Sequence, residues 1–132
     1  RLVGSEMCIR DSLYIGCGLR SLTSDHSDYH GIYCGSLPKR DAAYHQGTAW
    51  GFLLGGFLSA YAKVHDHSPE CTKELLSLLE PVRHHLTDNG CIGSISEIFD
   101  GDAPHNPRGC YAQAWSVGET LRAYMQDVLP YM

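Results

Sequence analysis

Between Trp50 and Val64 the apolar residues recur with a helical period. Trp50, Leu53, Leu54, Phe57, Leu58, Tyr61 and Val64 occupy i, i+3, i+4, i+7, i+8, i+11 and i+14. Such a stripe marks an amphipathic helix that buries one face against other elements. Gly51, Gly55 and Gly56 interrupt it, and each costs up to about 1 kcal/mol of helix propensity relative to Ala. A helix that tolerates them is expected to press its backbone close to a neighbouring helix or a ligand. The apolar run from Ala49 to Ala62 falls short of the roughly 20 residues needed to cross a bilayer, so it is read as a packed helix and not a membrane span.

A second helix is signalled by its ends. Ser68 is a good N-cap, Pro69 suits the first helical position, and Glu70 and Glu74 favour the positive end of the helix dipole. Leu75, Leu78, Leu79, Val82 and Leu86 supply the apolar stripe, and Asp88-Asn89-Gly90 suits a left-handed stop. Pro81 removes a backbone donor inside this span, so a kink or break is expected near Leu79. A third helix is expected from about Gly109 to Val128, with Ala114, Val117, Leu121, Met125 and Val128 facing inward, Tyr111 and Trp115 beside them, and Pro130 just past the end. Long polar stretches, 13–47 and 90–109, separate these helices. A short strand near Leu13–Cys17 is the one β element anticipated. Loops of this length in a compact domain usually carry function. The pattern is that of an all-α protein, and three helices with faces this apolar need a further layer to cover them.

Composition narrows the class. Hydrophobic residues at 43% and charged residues at 19% suit a globular chain. A net charge of −5 without a Lys/Arg cluster gives no reason to bind nucleic acid or an anionic membrane. The six cysteines are widely and irregularly spaced, with no C-x-x-C pair. They read as reduced, mostly buried thiols of a cytoplasmic protein rather than as a disulfide scaffold or a zinc site. Residues 1–12 (RLVGSEMCIRDS) lack signal-peptide anatomy and resemble a translated adapter. They are expected to be a non-native leader outside the fold, which leaves 13–132 as the fold-bearing segment.

Two loops carry candidate chemistry. Tyr44-His45-Gln46-Gly47-Thr48-Ala49-Trp50 sets hydrogen-bonding groups beside an aromatic face. Sugars ask for this combination, polar partners for hydroxyls and a flat ring for the apolar face of a pyranose. Equally open from the residues alone, Trp50 is a core residue and His45 caps a helix. In the second loop Glu97 is flanked by Ile95, Ile98 and Phe99. A carboxyl in apolar surroundings is harder to ionise, which suits acid–base work. The alternative is a loop carboxylate capping backbone N–H groups. Asp100 and Asp102 lie in a Gly-containing turn but lack the full spacing of a calcium loop, so no metal is assigned. His65, His67, His84 and His85, at polar helix ends, are read as solvated.

Three ordered motifs together resemble the C-terminal region of prokaryotic-type glycogen debranching enzymes. They are Tyr44 to Trp50, Gly93-Ser94-Ile95-Ser96-Glu97-Ile98-Phe99-Asp100-Gly101, and Pro107-Arg108-Gly109-Cys110-Tyr111-Ala112-Gln113-Ala114-Trp115-Ser116-Val117. Gly18-Leu19-Arg20-Ser21-Leu22 fits the same pattern, and the likeness spans about Tyr14 to Tyr124.

The resemblance implies a fold, a toroid of six helical hairpins, (α/α)6, of which this chain would hold the last hairpins as a fragment of the catalytic domain. It implies a reaction, inverting hydrolysis of α-1,6-linked glucose at the branch points of glycogen or another branched α-glucan. Glu97 matches the general base. Tyr44, His45, Gln46, Trp50, Arg108, Gln113 and Trp115 match positions that line or support the glucose subsite. The family's general acid lies upstream of anything present here, so the chain alone is expected to be inactive and to need the remainder of the parent domain. Gly51 stands where the family often has Pro. The chemistry requires no cofactor. A glucoamylase- or trehalase-like enzyme and a non-catalytic carbohydrate- or partner-binding helical module are the alternatives.

Overall fold

The computed structural model describes residues 3–132. The chain is mostly helical. Helix α1 (Val3–Ser12) is followed by β1 (Leu19–Arg20), α2 (Leu37–Tyr44), β2 (Ala49–Trp50) and α3 (Leu53–Val64). Then come α4 (Pro69–Asp88), β3 (Ile98–Phe99), β4 (Pro107–Arg108) and α5 (Ala114–Ala123), which runs on into a wide π turn, Tyr124–Val128, and a 3-10 turn, Leu129–Tyr131. No helix among the described residues is long and apolar enough to cross a membrane.

Helix α3 is the hub. Leu54, Phe57, Leu58, Tyr61 and Ala62 are buried, and they meet Cys71, Leu75, Leu78 and Val82 of α4 and Ala123 beyond the start of α5. Gly55 shows why the sequence accepts glycine there. A Cβ at this position would lie 2.5 Å from the Glu119 carbonyl oxygen, so α3 and α5 touch backbone to backbone. The exposed Gly56 has nothing within 4 Å and no such reason.

Helix α4 begins as its sequence indicates, with the Ser68 hydroxyl accepting from the Cys71 N–H at 3.2 Å. It then runs unbroken across Pro81 to Asp88, so of the kink or break expected near Leu79 the break does not occur. The Tyr14 hydroxyl donates to the Leu78 carbonyl at 2.7 Å, just before the proline. Tertiary packing of the Leu75, Leu78 and Val82 face on both sides of Pro81 holds the helix through it.

The all-α expectation needs one correction. Four two-residue strands form an antiparallel sheet in the order β1-β2-β3-β4. Trp50, read as the first turn of a helix, lies in β2 paired with Leu19 and Ile98. Strands of two residues are too short to write a period-2 pattern into a sequence. The expected strand near Leu13–Cys17 is reduced to a single bridge, Tyr14 to Leu19.

Three further readings change. The inward face assigned to the third helix is turned partly outward, with Leu121 56% and Met125 50% exposed. Val128 is buried as expected, and Ser116, Ala123 and Asp127 are buried with it; the π turn Tyr124–Val128 shifts the helix phase only past Ala123, at Met125 and Asp127. The cysteines are mostly not buried. Cys8, Cys34 and Cys110 are exposed, Cys17 and Cys91 half-buried and Cys71 buried, since most of them lie on loops or helix ends. Residues 3–12, set aside as a leader, form α1, with Ile9 against the core and Arg10 ion-paired to Glu74 at 2.5 Å.

Candidate functional site

The small sheet brings distant loops to one face of the helical body. Its centre is Glu97, half-buried between the buried Ser96 and Ile98. The Glu97 N–H donates to the Cys110 carbonyl at 2.8 Å, and its own carbonyl accepts from the Gly51 N–H at 3.2 Å. These bonds extend the β2–β3–β4 ladder by one residue and fix the direction of the side chain. The carboxylate receives two donors, the Tyr44 hydroxyl on Oε1 and the Cys110 N–H on Oε2 at 2.8 Å. The apolar setting expected from its neighbours is not the one it has. Ile95 and Phe99 join the core, and the Glu97 carboxylate lies among polar donors.

Tyr44 ends α2. Burial, reinforced by the hydrogen bond and the charge of Glu97, pushes its phenol up to about 12. It therefore stays protonated at neutral pH and donates to a carboxylate that accepts on both oxygens. Around it lies a chain of rings. Tyr44 meets Trp50 edge-on at 4.6 Å, His45 stacks on Trp50 at 5.3 Å, and Trp115 meets Trp50 at 6.1 Å. The Trp50 indole N–H donates to the Tyr44 carbonyl at 3.0 Å. Trp50 is buried and Trp115 is 45% exposed, so the first supports the platform and the second presents it. His45 occupies the C-cap position of α2 through its backbone N–H, while its exposed ring stacks on Trp50 and does not itself cap the helix.

Arg108 reaches the site indirectly, through a buried partner. Its Nε and Nη2 bond Asp100 Oδ2 at 3.0 and 2.9 Å. Asp100 is fully buried, and its Oδ1 accepts from the Tyr33 N–H at 2.9 Å. Arg108 thus holds the Tyr33 loop, and the Tyr33 ring packs on Tyr44 at 5.7 Å. Gln113 starts α5 and its N–H donates to the Ile95 carbonyl at 2.9 Å, tying the Trp115 helix to the Glu97 segment. Gln46 is exposed at the edge, its carbonyl accepting from the His30 N–H at 2.6 Å. Asp102 accepts from the Tyr29 hydroxyl at 2.8 Å. Both aspartates of this turn therefore have protein partners, and among the described residues no cluster of His, Cys, Asp or Glu is arranged to hold a metal.

Sequence reasoning missed four contributors. Phe52 extends the ring chain by stacking on Trp115 at 4.8 Å, and Tyr33 extends it at the other end. Cys110 acts through its backbone N–H, which no side-chain pattern announces. His85, read as solvated, is buried beneath the Glu97 segment. Its signal was present: Leu75, Leu78, Val82 and His85 fall at i, i+3, i+7 and i+10 on one helical stripe.

The motifs that carry the sequence resemblance thus converge on one face. The family model described as Amylo-alpha-1,6-glucosidase matches residues 7–122 and takes in every residue of this site. The match begins within the stretch set aside as a leader. On this match over most of its length, the chain belongs to the amylo-alpha-1,6-glucosidase family.

Proposed function

We propose that this chain supplies the general base and part of the glucose-binding face of an inverting α-1,6-glucosidase that acts at branch points of glycogen or a similar glucan. The observation that carries the proposal is the aim of Glu97. Two donors from separate elements, Tyr44 and Cys110, hold its carboxylate, and the Tyr44 ring packs in turn on His45 and Trp50. Free movement of a catalytic carboxylate costs rate, and anchoring from both oxygens restricts it.

In this reading the exposed part of the Trp115 ring receives the apolar face of the glucose, with Trp50 and Phe52 bracing it. Glu97 takes a proton from a water molecule as the water oxygen bonds to the anomeric carbon. The bond from that carbon to the branch oxygen breaks on the opposite face, and an acid protonates the departing oxygen. Inversion releases glucose with its anomeric configuration reversed.

The acid is assigned to a segment outside this chain. Asp100, the nearest carboxylate along the sequence, is fully buried against Arg108, so it cannot reach a substrate oxygen. The chain then functions as the last hairpins of a larger six-hairpin toroid and is inactive by itself. A cytoplasmic setting suits a protein with exposed thiols at Cys8, Cys34 and Cys110.

The test is glucose release from a limit dextrin by the complete enzyme containing this segment, against its Glu97→Gln variant. A loss of about a thousandfold or more with dextrin binding retained supports the base. Near-normal turnover returns Glu97 to a structural role and favours a non-catalytic carbohydrate-binding surface.

A further inference from the structure

The segment that leads into Glu97 leaves α4 at Asp88 and turns back over the end of that helix. Ser96, the residue before Glu97, is 1% exposed. Its backbone N–H precedes the two residues of β3 and has no strand carbonyl to meet. A buried N–H left unpaired is costly, so it must find an acceptor. It finds His85. The Ser96 N–H donates to Nε2 at 3.2 Å, and the Ser96 hydroxyl lies 3.3 Å from the same nitrogen. His85 is 4% exposed and its ring packs edge-on against Phe99 at 5.0 Å.

The pairing fixes a chemical state. A nitrogen that accepts an N–H bond carries no proton, so His85 is a neutral imidazole protonated on Nδ1. Burial lowers its pKa, which keeps it in that state. The neighbourhood leaves no slack. A Cβ on Gly90, in the turn beyond α4, would lie 2.9 Å from His85 Cε1 and 3.2 Å from Ser96 Oγ.

We infer that His85 is a positioning residue for Glu97, in that its Nε2 clamps the Ser96 peptide to α4 and so sets the direction of the carboxylate. This rests on the assignment of Glu97 as the base. The backbone at Glu97 is otherwise held by Cys110 and Gly51, both on loop and strand backbone. His85 adds the link to the longest helix of the fold. With that link cut, the Ser96 peptide tilts, and the carboxylate cannot keep both Tyr44 and Cys110 as donors. Displacement of a catalytic group by about 1 Å costs roughly a hundredfold in rate.

The experiment compares His85→Leu and His85→Gln in the complete enzyme, with Glu97→Gln in parallel. Each is read for kcat and KM of glucose release from a limit dextrin and for dextrin binding. Leu keeps the bulk but has no acceptor, whereas the Gln amide oxygen can accept from the Ser96 N–H. The inference expects His85→Leu to lose kcat by roughly ten- to a hundredfold with KM within about threefold. His85→Gln should recover most of that loss.

Unchanged kcat in His85→Leu overturns the inference, as does an equal loss in the Leu and Gln variants. If either occurs while Glu97→Gln is inactive, the base assignment stands and only the clamp falls. An active Glu97→Gln removes the base assignment and the clamp with it.

Discussion

Gly109 is the position where backbone conformation and the proposed chemistry meet, and its substitution separates them. The residue has φ +66°, a left-handed conformation. A Cβ there would lie 2.5 Å from Glu97 Oε2, 3.0 Å from Ile98 Cγ1 and 3.3 Å from Glu97 Cβ. Gly109→Ala therefore has two separate effects. The left-handed conformation costs an Ala about 1–2 kcal/mol. The new methyl also invades the space of the carboxylate oxygen that accepts from the Cys110 N–H, and the carboxylate must move by several tenths of an ångström or more. Gly93 provides the control, because it has φ +81° but nothing within 4 Å of its would-be Cβ. Gly93→Ala carries the same conformational cost without touching Glu97. Both variants should lose about 1–2 kcal/mol of stability, read as a fall of several degrees in thermal midpoint. Only Gly109→Ala should also lose turnover, by about ten- to a hundredfold, in a limit-dextrin assay of the complete enzyme. If the two variants retain the same activity at a temperature where both are folded, the placement of Glu97 Oε2 against Gly109 is irrelevant to catalysis and the reasoning fails.

Four other outcomes follow from the same geometry. Tyr44→Phe removes one of the two carboxylate donors while keeping the ring, so turnover should fall roughly tenfold or more with dextrin binding nearly unchanged, measured as kcat against KM. Since the Tyr44 phenol is raised to about 12, folding keeps its proton, so its contribution to stability is full below the ordinary phenol value near 10 and is lost as pH rises through about 12; absorbance titration of the phenolate checks this. Arg108→Ala strips the partner from the fully buried Asp100, and urea unfolding should show a loss of up to about 3 kcal/mol, the low end for a broken buried pair because Arg108 is itself a third exposed. His85 is held neutral by burial, with its pKa lowered, so the unfolded chain takes up a proton there first as pH falls. Its contribution is complete above the ordinary histidine value near 6.5 and is lost as pH drops from there through the folded pKa, an acid sensitivity that His85→Gln should blunt in pH-dependent melting.

How far these features were legible depends on their range. Helix α4 was readable because its signals are local: Ser68 and Pro69 open it, the Leu75, Leu78 and Val82 stripe gives it one face, and Gly90 closes it. Its passage through Pro81 was not, since the packing that overrides proline lies on other elements. The sheet was invisible because each strand has two residues and its ladder is made by partners up to dozens of positions apart, such as Trp50 with Ile98. At the site, Tyr44, Trp50, Glu97 and Trp115 were recognisable as residue types suited to sugar chemistry, but their mutual contact was not. Arg108 illustrates the limit. Its chemistry fits a sugar hydroxyl as well as a buried aspartate, and only the fold sets it against Asp100.

The same logic relates the site to the apolar surface left on the helices. Leu76, Leu79, Val82, Leu86, Val117 and Leu121 line a groove of about 500 Å³ between α4 and α5. Leu76 and Leu121 are 37% and 56% exposed. Exposed apolar side chains gathered in one groove are the surface on which further packing would gain most. Under the proposed function, the base stands at the loop end of helices whose outer faces lack a partner, and the acid is assigned to a segment beyond the chain. The Leu76 side of that groove lies on α4, and α4 also carries His85, which accepts from the Ser96 N–H beside Glu97. If His85 positions Glu97 as inferred, loosening the packing of α4 should loosen the aim of the carboxylate before it unfolds the site. Turnover should then fall ahead of the melting transition when activity and far-UV circular dichroism of the complete enzyme are followed together with temperature.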